Sequence, residues 1–243
     1  VVAAAAADLG RIAASDPGYG PAKRELGRAR LLLGDAPRAL DALREATRLL
    51  PGDPEAHSQL GVALLASGRA AEAVGELRRA VDLEPQSPGR RGNLGTALIL
   101  AGRTTEALAE YRERVRLDAS SARAHSDLGT ALLGVQDLAG ALSELARAVE
   151  IEPSRASFHN NLGYALLQAG RRERAIAELH EALHLDPKLV SAWLNLGAAL
   201  ARDPSTRAEA RAAVQHARAL SPEDPRVDAA LHELDALPGA RSR

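Results

Sequence analysis

Residues 160–170 read NNLGYALLQAG, and the Leu-Gly pair inside that stretch decides the fold. The same pair stands at Leu26-Gly27, Leu60-Gly61, Leu94-Gly95, Leu128-Gly129, Leu162-Gly163 and Leu196-Gly197, each 34 residues after the one before. A fixed period of this length marks a stack of small supersecondary units, each burying its apolar face against the next. Cutting on this register gives repeats at 20–53, 54–87, 88–121, 122–155 and 156–189. A 35-residue sixth follows at 190–224, its extra residue falling in a turn near Asp203-Pro204-Ser205.

Other residue types return in the same register. Alanine stands at Ala39, Ala73, Ala107, Ala141, Ala175 and Ala210, with a bulky residue four later at Leu43, Leu77, Tyr111, Leu145, Leu179 and Val214. A second small residue recurs at Ala46, Ala80, Ala148, Ala182 and Ala217; Pro51, Pro85, Pro153, Pro187 and Pro222 close their units. Gly34, Gly68, Gly102 and Gly170 break the middle. The early glycine and the alanines let two antiparallel helices approach, the middle glycine supplies a left-handed stop, and proline ends the second helix. Each unit is therefore expected to be helix, turn, helix.

On these residues the chain resembles the tetratricopeptide repeat (TPR) family over residues 1–238. The resemblance implies an all-α, right-handed superhelical solenoid that is not an enzyme and takes protein partners or extended peptides on its concave wall. Residues 1–19 read as the second helix of a truncated repeat. Residues 225–238 read as a capping helix with Leu231, Leu234 and Leu237 on one side, and 239–243 as a tail.

Bulk composition supports a binding module. The chain has 243 residues, 46% hydrophobic and 26% charged, with 31 basic against 32 acidic side chains, so no nucleic-acid footprint is expected. Aromatic residues are 2%, too few for base stacking. Without cysteine there is no disulfide or thiolate site, which fits cytoplasm and periplasm alike. The apolar start VVAAAAADLG is too short to span a membrane, and the Ala/Arg/Gly usage resembles that of a GC-rich bacterium. That start is read as an excerpt or a processed end, with something preceding Val1 in the natural protein.

One motif argues for chemistry instead. Residues 180–184 read HEALH, matching the H-E-x-x-H of helical zinc peptidases. The repeats judge it. His180 has the counterparts Arg44, Arg78, Arg112, Ala146 and Gln215, and His184 has Arg48, Asp82, Arg116, Glu150 and Ala219. These are solvated positions, so neither a metal nor a cofactor is expected. His57, His125 and His159 share one slot with Lys23, Arg91 and Trp193, read as a wide, semi-exposed packing position.

The resemblance places the binding wall on the first helix of each repeat, including the residue two before each glycine: Glu25, Gln59, Asn93, Asp127, Asn161 and Asn195. An asparagine amide both donates and accepts, so it can bracket a peptide bond without reading the side chain. Asn93, Asn161 and Asn195 are similar in placement to the asparagine ladder of O-GlcNAc transferases. Asn160, Tyr164 and Gln168 fall on the same stretch as Asn161, with Tyr164 as an apolar anchor. Arg24, Arg28 and Arg123 are candidates for ligand carboxylates. A chaperone-tail clamp is not reproduced, since Arg24 is followed one turn later by Arg28 rather than asparagine.

Three departures cluster together. Arg114 replaces a packing alanine, Ala119 a proline and Gln136 a turn glycine, and a hinge or weak seam is expected over 112–137. The overall expectation is a non-catalytic adaptor. Its rivals are the substrate-recognition arm of a larger enzyme, such as a glycosyltransferase, and an envelope or pilus assembly factor.

Overall fold

The computed structural model describes residues 2–237 and turns each 34-residue period into two antiparallel helices. The chain divides into two compact units, at Ala119 and Ser120. In the first, α1 (Val2–Ser15) packs on α2 (Gly20–Leu32), and the pairs α2 with α3 (Ala36–Leu49), α4 (Pro54–Ala66) with α5 (Ala70–Leu83), and α6 (Pro88–Leu100) with α7 (Thr104–Leu117) stack in order. In the second, α8 (Ala122–Gly134) pairs with α9 (Leu138–Ile151), α10 (Ala156–Gln168) with α11 (Arg172–Leu185), and α12 (Val190–Ala201) with α13 (Arg207–Leu220). A lone α14 (Pro225–Ala236) lies on α12 and α13. Among the described residues no helix is long and apolar enough to cross a membrane.

The boundaries follow from local chemistry. Asp35, Asp53, Asp137 and Asp224 accept backbone N–H bonds at the starts of their helices, and prolines occupy the first turns of α2, α3, α4, α6 and α14. Gly34, Gly68, Gly102 and Gly170 take φ between 72° and 75°, the left-handed stop that the register requires. The inserted residue of the sixth repeat is absorbed by a 3-10 turn at Pro204–Thr206.

The core is a column of small and branched side chains. Ala39, Leu43 and Ala46 are wholly buried, as are their equivalents Ala175, Leu179 and Ala182 four repeats later. Gly163 shows why the repeat needs glycine: a Cβ there would lie 2.8 Å from Leu179 Cγ and 3.3 Å from the Ala175 carbonyl oxygen. In α14, Leu234 is buried while Asp228, His232, Glu233 and Asp235 are exposed. Val1, Pro238 and the expected tail at 239–243 lie outside the described residues.

The three departures are absorbed locally. Gln136 adopts φ 63° in place of glycine, and its N–H still bonds to Leu133 O at 3.0 Å. Ala119 does not lengthen α7: Asp118 makes the last helical bond, to Arg114 O at 3.0 Å, and then leaves helical geometry at φ −142° and ψ 79°. The Arg114 guanidinium lies over Gly92, where an added Cβ would come within 2.8 Å of Nη1. The loss of the packing alanine is thus matched by the absence of a side chain opposite. The division between units falls within 112–137.

Candidate peptide-binding site

The asparagines of the second unit are joined in one directed chain of hydrogen bonds. Asn195 Nδ2 donates to Asn160 Oδ1 at 2.9 Å, Asn160 Nδ2 to Asn161 Oδ1 at 3.3 Å, and Asn161 Nδ2 to Ser126 Oγ at 3.2 Å. The chain crosses α12, α10 and α8 and links three consecutive repeats. Register creates it: Ser126 and Asn160 are equivalent residues, as are Asn161 and Asn195, so neighbouring first helices bring them together.

Two hollows flank this chain. One, of about 350 Å³, is lined by Asn160, Asn161, Tyr164, Ser191, Leu194, Asn195, Arg226 and Ala230. The other, of about 280 Å³, is lined by Thr130, Leu133, Gly134, Asn161 and Tyr164. Tyr164 and Asn161 border both, and Tyr164 is 43% exposed. Arg226 brings no spare charge, since it binds Asp224 at 2.6 Å. Those side-chain bonds, with the Arg226 backbone N–H, hold the Asp224 carboxyl below its ordinary range. Gln168 is exposed at the end of α10, outside the lining of either hollow.

The remaining predicted wall residues are engaged differently. Arg24 bonds to Asp53 at 2.6 Å and to Glu25, and Arg28 bonds to Glu25 at 2.8 Å. Arg123 pairs with Asp127 along α8 at 3.7 Å. These guanidinium groups pair with carboxylates of the chain itself, and Arg28 and Arg123 do so while exposed. Burial works against the Asp53 charge, but Arg24 and the Glu55 and Ala56 N–H groups outweigh it and keep the carboxyl below its usual range. Gln59 is buried and gives its Nε2 to Glu55 at 2.8 Å, while its Oε1 has no partner. Asn93 is half-buried on α6.

In the shared slot His57, His125 and His159 are buried, more so than the sequence suggested, while Lys23, Arg91 and Trp193 are half-buried as expected. His57 Nδ1 lies 2.7 Å from Glu76, His125 Nδ1 2.6 Å from Glu144, and His159 Nδ1 2.8 Å from Glu178. Arg91 makes the same bond to Glu110 at 2.7 Å. The other nitrogen reaches the carbonyl of the preceding proline: His57 to Pro51, His159 to Pro153, Arg91 to Pro85 and Trp193 to Pro187, all between 2.9 and 3.1 Å. The signal was present in the sequence, because Glu76, Glu110, Glu144 and Glu178 are in register 19 residues after their partners. Where the slot holds Trp193, the partner position holds Ala213; where it holds Lys23, that position is Ala42 and Lys23 pairs with Glu45 instead.

His180, Glu181 and His184 are exposed on α11, while Ala182 and Leu183 between them are buried packing residues. Among the described residues no group of three or more possible ligands gathers to hold a metal.

Comparison with known proteins agrees with the architecture. Tetratricopeptide repeat models match residues 2–54, 24–88, 126–189 and 160–225, and a further one residues 64–128. No curated protein matches the chain significantly. Among solved structures, MamA from its residue 41 onward, from Desulfovibrio magneticus RS-1, is 24% identical with a TM-score of 0.64, covering 70% of this chain and 96% of its own. YrrB, described as a TPR protein with an unusual peptide-binding site, is 20% identical with a TM-score of 0.59, covering 80% and 98%. The Cut9–Hcn1 hetero-tetramer of the APC/C gives 15% identity and a TM-score of 0.77, covering 93% of this chain and 44% of that one. At these identities the likeness is one of fold.

Proposed function

The chain belongs to the tetratricopeptide repeat family, and we propose that it is a non-catalytic interaction scaffold that binds an extended peptide segment of a partner protein on the first helices of the second unit. The observation that carries this reading is the hydrogen-bonded chain Ser126–Asn161–Asn160–Asn195 with the exposed Tyr164 beside it. Asparagine lowers helix propensity, so a run of three in adjacent helices opposes local stability, as binding residues commonly do. Each amide spends one N–H inside the chain, leaving the second to give to a carbonyl oxygen. A flat aromatic ring is a low-entropy apolar contact for the same ligand. The peptide-binding description of YrrB makes this reading natural for the fold.

The test is affinity capture from a lysate of the source organism, with the wild-type chain beside Asn161→Ala/Tyr164→Ala. Proteins held by the first and lost by the second, with helicity unchanged, support the assignment. Equal retention by both moves the site off this wall.

A further inference from the structure

We infer that the smaller hollow is a specificity pocket for one uncharged apolar side chain of the bound peptide, opened in this repeat by Gly134. The inference rests on the peptide-binding reading above and adds the ligand's chemistry to it. At the position of Gly134 the other repeats carry Leu32, Ala66, Leu100, Gln168 and Arg202, so five of six first helices put a side chain where this one leaves space. The space is real: the hollow bounded by Thr130, Leu133, Gly134, Asn161 and Tyr164 has a volume of about 280 Å³. Gly134 is the exposed last residue of α8 and is not among the glycines of positive φ, so the missing side chain is not demanded by a left-handed turn.

The lining decides what can enter. It contains no carboxylate, ammonium or guanidinium, and the Thr130 hydroxyl is spent on Ser126 O at 2.8 Å. A charged side chain placed there would lose hydration and meet no counter-charge, whereas Leu133 and the Tyr164 ring favour a hydrocarbon. Along the rim Asn161, Asn160 and Asn195 each keep an amide N–H and acceptor capacity on the amide oxygen beyond those used in the chain of bonds, so the edge can both give and accept. Arg226, on the neighbouring hollow, is neutralised by Asp224. Amide donors and acceptors along one edge and an uncharged pit beside them match an extended backbone, which offers both carbonyl oxygens and N–H groups and sets one aliphatic or aromatic side chain inward.

Selection of a random peptide library displayed on phage, using the wild type, Gly134→Leu, Gly134→Ala and Asn195→Ala, tests this. Wild type is expected to enrich peptides with one fixed apolar residue and no charge at that place. Gly134→Leu is expected to lose that preference, Gly134→Ala to shift it to smaller residues, and Asn195→Ala to capture the family poorly. Replacing the fixed residue by Asp in a selected peptide should weaken binding by more than about tenfold. A family that depends on Asn195 but carries a charged anchor, or that Gly134→Leu captures unchanged, overturns the pocket and leaves the binding wall standing. No enriched family on the wild type removes the peptide-binding reading and the pocket with it.

Discussion

The histidine slot offers a prediction whose size can be worked from the structure. His159 is buried, its Nε2 donates to Pro153 O at 2.9 Å, and its Nδ1 lies 2.8 Å from a Glu178 carboxylate whose side chain is only 25% exposed. A bond to a charged and mostly buried partner contributes about 1.5–3 kcal/mol. Glu178→Ala removes it and strands Nδ1. His159→Trp keeps the bond to the proline carbonyl, as Trp193 does with Pro187, but strands the carboxylate. Each single change should cost about 1.5–3 kcal/mol. The double variant, His159→Trp with Glu178→Ala, recreates the Trp193 and Ala213 pairing of the last repeat and strands neither group. It should cost no more than either single, a coupling of roughly 2 kcal/mol. Urea unfolding followed by far-UV circular dichroism measures all four proteins, with the slope checked for constancy across them. If the two single losses simply add in the double, within about 0.5 kcal/mol, the pairing is an accident of register and the reasoning fails.

Gln136→Gly should stabilise by about 0.5–1 kcal/mol, because relief of a left-handed Gln, about 1–2 kcal/mol, exceeds the added chain entropy of glycine; thermal melting reads the sign. Gly163→Ala should destabilise by about 0.5–2 kcal/mol, since overpacking against Leu179 and the Ala175 carbonyl outweighs the helix propensity gained; an unchanged urea midpoint would refute the close-approach argument. The depressed carboxyl of Asp53 adds stability that is fully present above its ordinary value of 3.8 and is lost as pH falls through the lower folded value. Acid titration of Asp53→Asn should therefore lack that part of the wild-type decline, and identical profiles would show that Arg24 contributes nothing through it. Hydrogen exchange over 112–137 should be faster than over the equivalent parts of the second and fifth repeats, and equal protection there would remove the expected seam.

The helices were legible because their signals are local and repeated six times. Leu-Gly, the packing alanines and the middle glycines each act within one unit, so the 34-residue register exposes them without any comparison to other chains. Departures from that register were harder to read, since their outcome depends on a partner far along the sequence. Arg114 looked disruptive until Gly92 was found beneath it, and Gln136 shows that a side chain can occupy the left-handed stop when the surrounding bonds hold it there. The candidate site divided on the same line. Asn160, Asn161, Asn195 and Tyr164 were named from one helical face and do meet. Arg24, Arg28 and Arg123 were named from the same face and their charge, and neither reveals that a carboxylate of the same chain lies beside each.

The repeat therefore separates two kinds of information. Positions that are invariant across the six units build the stack, and their equivalence makes them poor carriers of specificity. Positions that vary while facing the same wall are free of that duty, and there the fourth and fifth repeats differ from the others: Asn160 where others have Arg24, Ser58, Gly92, Ser126 and Leu194; Tyr164 where others have Arg28, Val62, Thr96, Thr130 and Ala198; Gly134 where a side chain is usual. The histidine slot lies between these classes, since its residue varies and its partner varies with it, keeping a buried bond while the chemistry changes. Variation that is compensated inside the chain serves stability; variation on the wall that nothing inside the chain answers is where a ligand's chemistry is read. By that criterion Gly134 and Tyr164 are the residues whose exchange for those of a neighbouring repeat should alter what is bound while leaving the stack intact.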